Sequence, residues 1–273
     1  MPRLLAALVL IAGITPAALA QSALRLYVFD CGELAFDDVS AFGLSNEETR
    51  VREMFVPCYL IEHPNGRLLW DAGLPIGIAG KGDRELEPGV TMRYAVSLPV
   101  QLAKIGIMPA DVDRIAFSHM HFDHVGAANL FTESELLIQQ AEYQAAFVAR
   151  IEQFQPELYL GLVHNERRIL NGDYDVFGDG KVTIVAAPGH TPGHQVLLLR
   201  LDNTGPLVLS GDLYHFRESR VLRRAPTFNT DAEATFRSMD EVEALIAREG
   251  ATLWIEHDKA LAETLRKAPE YYD

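Results

Sequence analysis

The stretch RIAFSHMHFDHVGA, residues 114–127, begins as an apolar run and ends in a dense cluster of histidine and aspartate. RIAFSH has the short apolar pattern of a buried strand, and it leads directly into the cluster. Three of the nine histidines of the chain fall within six residues there. Because neutral imidazole and carboxylate groups bind zinc and similar divalent ions, the stretch predicts a metal site. Its candidate ligands are His119, His121, Asp123 and His124.

The spacing within this cluster indicates two ions. His119 and His121 are two residues apart in a predicted extended loop, so their side chains can point toward the same ion. Asp123 and His124 follow at the start of a predicted turn. Their offset from the first pair directs them toward a second ion.

Three further predicted strands lead to residues of the same types. These residues are His190 after VTIVAAP, Asp212 at the end of PLVLSGD, and His257 in TLWIEHD. Functional side chains are commonly placed at the ends of scaffold elements, so we expect one shared site at a rim of the sheets. Seven candidate ligands exceed the four of a tetrahedral zinc site and suit two ions with one bridging carboxylate. The isolated His63 and His164 are interpreted as ordinary structural residues.

The order of elements predicts an α/β (α+β) sandwich. Strands dominate the first half, and Pro64-Asn65-Gly66 separates two of them as a hairpin turn. The segment 75–98 is rich in glycine and charged residues, which predicts a flexible surface loop. A helix is expected from Pro99 onward, because proline is favoured in the first turn of a helix. Two mixed sheets packed face to face with helices outside accommodate this order. The predicted strands are 24–32, 56–63, 67–74, 114–119, 135–140, 182–188, 195–201, 206–212 and 252–258.

Two later helices are predicted, at 141–151 and 231–248. The second has a capping box formed by Thr230 and Glu233, and Gly250 is expected to end it. Its buried stripe is predicted at helical spacing, at Phe236, Met239, Val242 and Ile246.

The first twenty residues have the pattern of a secretory signal peptide. Arg3 precedes an apolar run and Ala18-Leu19-Ala20 supplies small residues at the expected cut. The run is shorter than the roughly 20 residues that a transmembrane helix needs. We therefore expect cleavage after Ala20, a single domain over 21–273, a periplasmic or secreted location, and no stable membrane insertion.

Charge and cysteine content narrow the environment further. The chain has a formal net charge of −14, which repels phosphate backbones and makes nucleic acid an unsuitable partner. Its two cysteines, Cys31 and Cys58, can pair if their strands are neighbours, because disulfides persist outside the cytosol. A pair of free buried thiols is the alternative, which sequence does not decide.

The ordered ligand set resembles that of the metallo-β-lactamase superfamily of αββα hydrolases. HMHFDH at 119–124 reads as H-x-H-x-D-H, and His190 in APGHTPGH, Asp212 in SGD and His257 follow in the superfamily order. The resemblance covers essentially all of the chain after the predicted signal peptide. It implies one metal on His119, His121 and His190, a second on Asp123, His124 and His257, and Asp212 between them.

Within this superfamily, the chain most resembles the N-acyl-homoserine lactonases of the quorum-quenching group. The segments that carry the resemblance are LYVFDCG, CYLIEHPNGRLLWDAG, QQAEYQAA and TPGHQVLLL. Histidine at position 121, where the di-iron members resemble H-x-E-x-D, favours a zinc-type hydrolase. The resemblance implies two divalent metal ions, preferably Zn²⁺, and a small-molecule lactone substrate. Water activated between the two ions would open the lactone ring. A homodimer is possible, and the sequence does not decide the oligomeric state.

One position departs from that lactonase pattern. The group commonly has a tyrosine three residues after the bridging aspartate, whereas this chain has His215 there and Tyr214 one residue earlier. Either side chain can orient the lactone carbonyl and stabilise the oxyanion. Asp123 or water is the candidate proton donor to the leaving alkoxide. His194 and Asp258 are expected to support ligands.

Several alternatives share the superfamily framework. A glyoxalase II-like thioesterase also has the GHTPGH motif, but the acidic chain offers little to an anionic glutathione. A β-lactamase-like hydrolase, a mononuclear iron dioxygenase and a non-catalytic metal-binding protein are the others. A set of apolar residues in the early loops is either a substrate pocket or ordinary core, namely Phe42, Met54, Phe55, Met92 and Tyr94.

Overall fold

The computed structural model of the protein describes residues 24–273, so the predicted signal peptide lies outside the described residues. The described chain folds into two mixed β-sheets with helices outside them. No helix within this range is both long and apolar enough to cross a membrane.

The first sheet has eight strands in the order β4-β5-β1-β2-β3-β6-β7-β8 among the described residues. β1, β2 and β3 are antiparallel neighbours, whereas β6 joins β3, β7 joins β6 and β8 joins β7 in parallel. The bounds are β1 Arg25–Phe36, β2 Glu53–His63, β3 Gly66–Trp70, β4 Arg84–Glu87, β5 Val90–Arg93, β6 Arg114–Ala116, β7 Glu135–Gln139 and β8 Arg167–Leu170.

The second sheet has five strands in the order β13-β12-β11-β10-β9 within residues 24–273. Its pairs are antiparallel except for β12 and β13, which are parallel. The bounds are β9 Tyr174–Asp175, β10 Val182–Ala186, β11 Gln195–Leu201, β12 Gly205–Leu209 and β13 Thr252–Trp254.

The residues of β2 show why the two sheets stack. Successive side chains of a strand point to opposite faces, and both faces of β2 are apolar. Tyr59 and Ile61 belong to the core between the sheets, together with Leu197 and Leu209 of the second sheet. Met54, Val56, Cys58 and Leu60 face the other way, into the core under the outer helices. A strand buried on both faces requires a layer on each side. The predicted αββα sandwich is therefore confirmed.

The helices pack on the outer faces of the sheets. α5 covers the second sheet through Met239, Val242 and Leu245, with Phe236 and Ile246 partly buried beside them. Its cap differs from the predicted one, because the Asp231 carboxylate accepts from the Ala234 amide. The bounds are α1 Leu98–Lys104, α2 Phe122–Val125, α3 Gln140–Tyr143, α4 Arg217–Leu222, α5 Ala232–Glu249 and α6 Lys259–Ala262.

Two segments differ from the sequence-based expectation. The segment predicted as a flexible excursion contains the hairpin β4–β5, which extends the first sheet through the pairing of β5 with β1. The predicted helix at 141–151 begins as α3 and continues as a π-helical segment, Gln144–Ala149. Irregular turns of this kind are frequent next to functional sites.

The two cysteines form a disulfide. β1 and β2 are antiparallel neighbours, and Cys31 is bonded to Cys58 across them. The condition for pairing, that the two strands be adjacent, is met.

Candidate metal centre

Four strand ends bring the candidate ligands to one rim of the sandwich. His119 follows β6, His190 follows β10, Asp212 follows β12 and His257 follows β13. All four are buried, with exposed fractions between 0% for His119 and 4% for Asp212. Buried polar groups at strand ends need partners, so the rim is built around an interaction among these side chains.

The first group of ligand atoms converges on one point. His119 Nε2 lies 2.8 Å from His121 Nδ1, and His190 Nε2 lies 3.1 Å from the same Nδ1 atom. These three residues and Asp212 each offer a ligand atom within 4.8 Å of the others. Three ring nitrogens at such short range suit the coordination of a single ion.

The second group lies beside the first. Asp123, His124 and His257 also offer ligand atoms within 4.8 Å of one another. Asp123 Oδ2 is 3.7 Å from the Nε2 atoms of both His124 and His257. The structure therefore brings all seven sequence-predicted ligands together, in two groups that match the assignment implied by the family resemblance.

Asp212 lies between the two groups and turns one oxygen to each. Its Oδ2 is 3.2 Å from His190 Nε2 and 3.5 Å from His119 Nε2. Its Oδ1 is 3.0 Å from His257 Nε2 and 3.3 Å from His124 Nε2. A carboxylate with its two oxygens facing different nitrogen sets has the geometry of a bridging ligand.

The far side of several imidazoles is held by acceptors. His190 Nδ1 is 2.8 Å from Asn229 Oδ1, His257 Nδ1 is 2.8 Å from the Phe55 carbonyl, and His124 Nδ1 is 3.1 Å from Asp71 Oδ2. Such contacts fix the proton on Nδ1 and leave Nε2 free to bind a metal. When neutral, these rings would carry the proton on Nδ1 and present Nε2 to a metal.

Unpaired buried atoms test whether ions fit. Among the described residues, His124 Nε2 and Asp212 Oδ1 are buried without a hydrogen-bond partner, although they are 3.3 Å apart. Leaving buried polar atoms unpaired costs about 1–3 kcal/mol each. Since both face the shared space between the groups, divalent ions bound there satisfy them. The donor set fits two such ions.

The charges of the rim follow from burial and from its carboxylates. Burial is the main cause that holds the pKa of His119 and His121 well below the ordinary value, so both rings are neutral. The neighbouring His124 lowers the pKa of His119 further, and His190 does the same for His121. Burial acts in the same direction on His124 and His257, but the Asp212 carboxylate raises the pKa of both. The second group therefore releases protons when it binds a metal.

The structure separates the two residues that sequence left as alternatives. His215 Nε2 is 3.0 Å from Asp212 Oδ2, and the ring lines the cavities at the centre. Tyr214 is buried in the core under α5, and its hydroxyl donates to Glu243 Oε1 at 2.9 Å. The prediction for Tyr214 is corrected, because its hydroxyl is engaged on the side of α5 and does not face the ligand groups.

The two predicted supporting residues have different roles. His194 Nε2 accepts from the Asp212 amide at 2.9 Å while Nδ1 faces the Ala187 carbonyl, and burial lowers its pKa to about 3. Neutral His194 thus holds the backbone of the central carboxylate. Asp258 instead caps α6 and pairs with Arg217 at the cavity rim.

Three further residues of the site were missed in the sequence. Asp71 has a φ of 57°, is fully buried, and accepts from the Ser118 amide at 2.7 Å while facing His124. Glu256 is buried beside it, where burial and the Asp71 charge hold its pKa well above the usual range. Glu142 contacts both metal-ligand loops. Asp71 directly follows β3, but the predicted strand 67–74 extended past it, so no strand-end signal was available in the sequence at this position.

Two cavities open on the centre. One of about 480 Å³ is mainly apolar and reaches His121, Asp123, Asp212 and His257. The other, of about 1090 Å³, is more polar and reaches His215 and His257. The apolar walls of the first are Leu34, Phe36, Phe42, Met54, Phe122 and Phe228.

The predicted pocket residues divide between cavity and core. Phe42 and Met54 line the apolar cavity, whereas Phe55 is part of the core between the sheets. Met92 and Tyr94 belong to the outer core and line neither cavity.

Comparison with known proteins agrees with this architecture. The family described as "Metallo-beta-lactamase superfamily" matches residues 51–248. The chain belongs to the metallo-β-lactamase superfamily. The prediction that it is a metal-dependent hydrolase is confirmed at this level, since curated relatives that match nearly the whole chain are named lactonases.

Relatives within the superfamily cover nearly the whole chain. An N-acyl homoserine lactonase AttM from Azorhizobium caulinodans is 32% identical over 269 residues, which span 92% of this chain and 99% of the relative. The N-acyl homoserine lactonase AiiA from Bacillus thuringiensis subsp. kurstaki is 28% identical over 256 residues. These residues span 90% of this chain and 98% of the relative. The solved structure of an N-acyl homoserine lactone hydrolase, with the product N-hexanoyl-L-homoserine at its catalytic metal centre, matches with a TM-score of 0.79. The sequence of that structure is 27% identical to this one, and the match covers 92% of this chain and 99% of the other chain.

Proposed function

We propose that this superfamily member hydrolyses the lactone ring of N-acyl-homoserine lactones. The observation that carries the proposal is the apolar cavity that opens directly on the bridging carboxylate Asp212. A cavity of this kind accommodates a neutral acyl chain while the ring lies at the metal centre. The lactonases among the relatives, which match nearly the whole chain, support the same substrate class.

Two divalent ions, with zinc as the proposed metal, are assigned to the two ligand groups. When bound, such ions polarise a carbonyl and lower the pKa of water enough for attack near neutral pH. His119, His121 and His190 hold one ion, and Asp123, His124 and His257 hold the other. Asp212 would supply one oxygen to each ligand group.

His215 and Asp123 have separate roles toward the lactone in this proposal. His215 is neutral because burial lowers the pKa of its ring, and it lines both cavities. Its N–H orients the lactone carbonyl and donates to the developing oxyanion. Asp123 lines the apolar cavity together with Asp212, where it would take up the proton that the attacking water loses and pass it to the leaving alkoxide.

A wall of phenylalanine side chains around Phe42 keeps water away from the part of the apolar cavity that would hold the acyl chain. Phe42 makes edge-to-face contacts with Phe36, Phe216 and Phe228 at centroid distances of 5.0–5.6 Å. Such pairs add about 0.5–1.5 kcal/mol each beyond their area burial, so the wall keeps a defined shape.

Charge favours a neutral substrate. Six acidic and four basic side chains line the larger cavity, and the whole chain carries a net charge of −14. An anionic β-lactam or glutathione thioester is repelled by this surface, whereas an uncharged lactone is not. The distribution therefore supports the lactonase over the two alternative hydrolases.

An extracytoplasmic location is part of the proposal. The signal-peptide pattern of the first twenty residues supports it. The disulfide between Cys31 and Cys58 supports it independently, because disulfides form and persist in oxidising compartments.

The substrate prediction is tested with a panel. Purified protein loaded with Zn²⁺ is expected to open N-acyl-homoserine lactones of several chain lengths, with kcat/KM highest where the acyl chain fills the apolar cavity. A cephalosporin and a glutathione thioester serve as the anionic controls. Turnover is followed by proton release for lactones and by absorbance for the controls. Turnover of a control substrate without any lactone would contradict the proposal.

Separate substitutions of the adjacent residues Tyr214 and His215 test the role of His215. His215→Phe keeps the ring volume and removes the N–H, so kcat/KM for the lactone is expected to fall about 100-fold, as for loss of one oxyanion donor. Metal content should stay at the wild-type level. Tyr214→Phe is the matched control, since it removes only the hydroxyl that faces Glu243, and it should retain activity. The opposite order of effects would assign the role to Tyr214.

A further inference from the structure

The buried side chain of Glu142 joins the two loops that supply the first ligand group. One carboxylate oxygen accepts from the Met120 amide at 2.9 Å, and the other accepts from the Gly193 amide at 2.8 Å. Met120 lies between His119 and His121, and Gly193 follows His190 by three residues. The two loops are separated by about 70 residues in sequence, and this single carboxylate spans them.

The environment of this carboxylate is unusual for a residue with only a packing role. Glu142 is 2% exposed, and no lysine or arginine of the described chain forms an ion pair with it. Burying a carboxylate without a cationic partner is unfavourable unless hydrogen bonds compensate. The two amides therefore hold the carboxylate firmly, and it in turn holds them.

The close approach of the two segments is built into the sequence at Gly193. A Cβ atom at this position would lie 2.5 Å from the Glu142 amide nitrogen and 2.6 Å from Glu142 Cβ. Any larger residue must push the histidine loop away from α3. The absence of a side chain at Gly193 is thus an independent sign that this contact distance matters.

We propose that Glu142 is a positioning residue of the metal centre, which fixes the loop of His119 and His121 against the loop of His190. The inference rests on the proposed metal-dependent function. Convergence of the three nitrogens requires that the two loops keep their distance to within a few tenths of an ångström, because metal–ligand distances vary little. Glu142 contacts neither substrate nor metal in this scheme and acts through the two backbone amides.

Glu142→Gln tests the proposal. Glutamine keeps the size of the side chain but has one oxygen, and its NH₂ group would face one of the two amides. The Zn²⁺ affinity of the full chain, measured by chelator competition, is expected to fall 10- to 100-fold, as for other residues that orient ligands. The increase in Tm on metal loading is expected to shrink, while the Tm of the metal-free protein changes less.

Asn165→Asp is the matched control. Asn165 is also buried and donates to the Phe131 and Ser134 carbonyls at 2.8 and 2.7 Å, so the isosteric change disrupts two backbone contacts away from the ligand loops. It should lower the Tm of metal-free and loaded protein equally and leave metal affinity unchanged. The same result for Glu142→Gln would overturn the proposal by showing a purely structural role.

Gly193→Ala provides a second variant if Glu142→Gln does not fold. The added methyl separates the same two segments while the carboxylate stays in place, so a loss of metal affinity of at least tenfold is expected. Wild-type affinity in this variant would overturn the proposal. A wild-type protein that binds no divalent ion would instead contradict the proposed function, so the two failures are distinguishable.

Discussion

Asp212→Ala is expected to abolish lactone hydrolysis and to deplete both metal positions. The variant removes the carboxylate whose two oxygens face the two ligand groups. Metal polarisation of a carbonyl is worth several kcal/mol in the transition state, which corresponds to about a thousandfold or more in kcat/KM. Metal content by elemental analysis and kcat/KM on the best lactone measure the two effects together.

Two companion variants sharpen this experiment. Asp212→Asn keeps one oxygen, so it is expected to retain more metal than Asp212→Ala while losing most activity. Asp202→Ala removes an exposed carboxylate that pairs with Lys181, and it should change neither quantity. An Asp212→Ala protein with two bound ions and full activity would falsify the bridging role.

The position of the ligand set could be predicted because each member lies just beyond a strand with a clear apolar pattern. β6, β10, β12 and β13 lie in short apolar runs of the sequence, and each is followed within a few residues by histidine or aspartate. Sequence spacing alone also separated the pair His119 and His121 from Asp123 and His124. The structure divides the ligands in the same way.

The direction of a side chain could not be predicted where two candidates are adjacent. Tyr214 has extended backbone angles, φ −138° and ψ 129°, so its side chain and that of His215 point to opposite sides. Which of the two faces the centre depends on the register of the whole segment against α5. A sequence pattern predicts that successive side chains point to opposite sides, but not which of them point toward the metal centre.

Contacts across long stretches of chain were also beyond the sequence. Asp71 reaches His124 from 53 residues away, and Glu142 joins two loops that no local pattern brings together. The hairpin β4–β5 was missed for a different reason. All four residues of β4 are exposed, so this edge strand has no apolar alternation to reveal it.

Loss of the disulfide is expected to produce the largest change in stability. Cys31 and Cys58 are 27 residues apart in sequence, and closing a loop of this length restricts the unfolded chain. The double variant Cys31→Ser/Cys58→Ser should lower the free energy of unfolding by about 3–4 kcal/mol in the chain-entropy account. Urea denaturation of both proteins gives the difference, with the slope fitted separately for each because the unfolded chain without the disulfide is less compact.

The same bond connects stability to the proposed export. Wild-type protein unfolded in a reductant should lose the same free energy, whereas the double serine variant should be insensitive to the reductant and serves as the control. Protein expressed with residues 1–20 is expected to be recovered outside the cytosol without free thiols, because both cysteines are oxidised there. Protein expressed without them should carry two titratable thiols and the lower stability. Two free thiols and equal stability in both preparations would contradict export as the source of the bond.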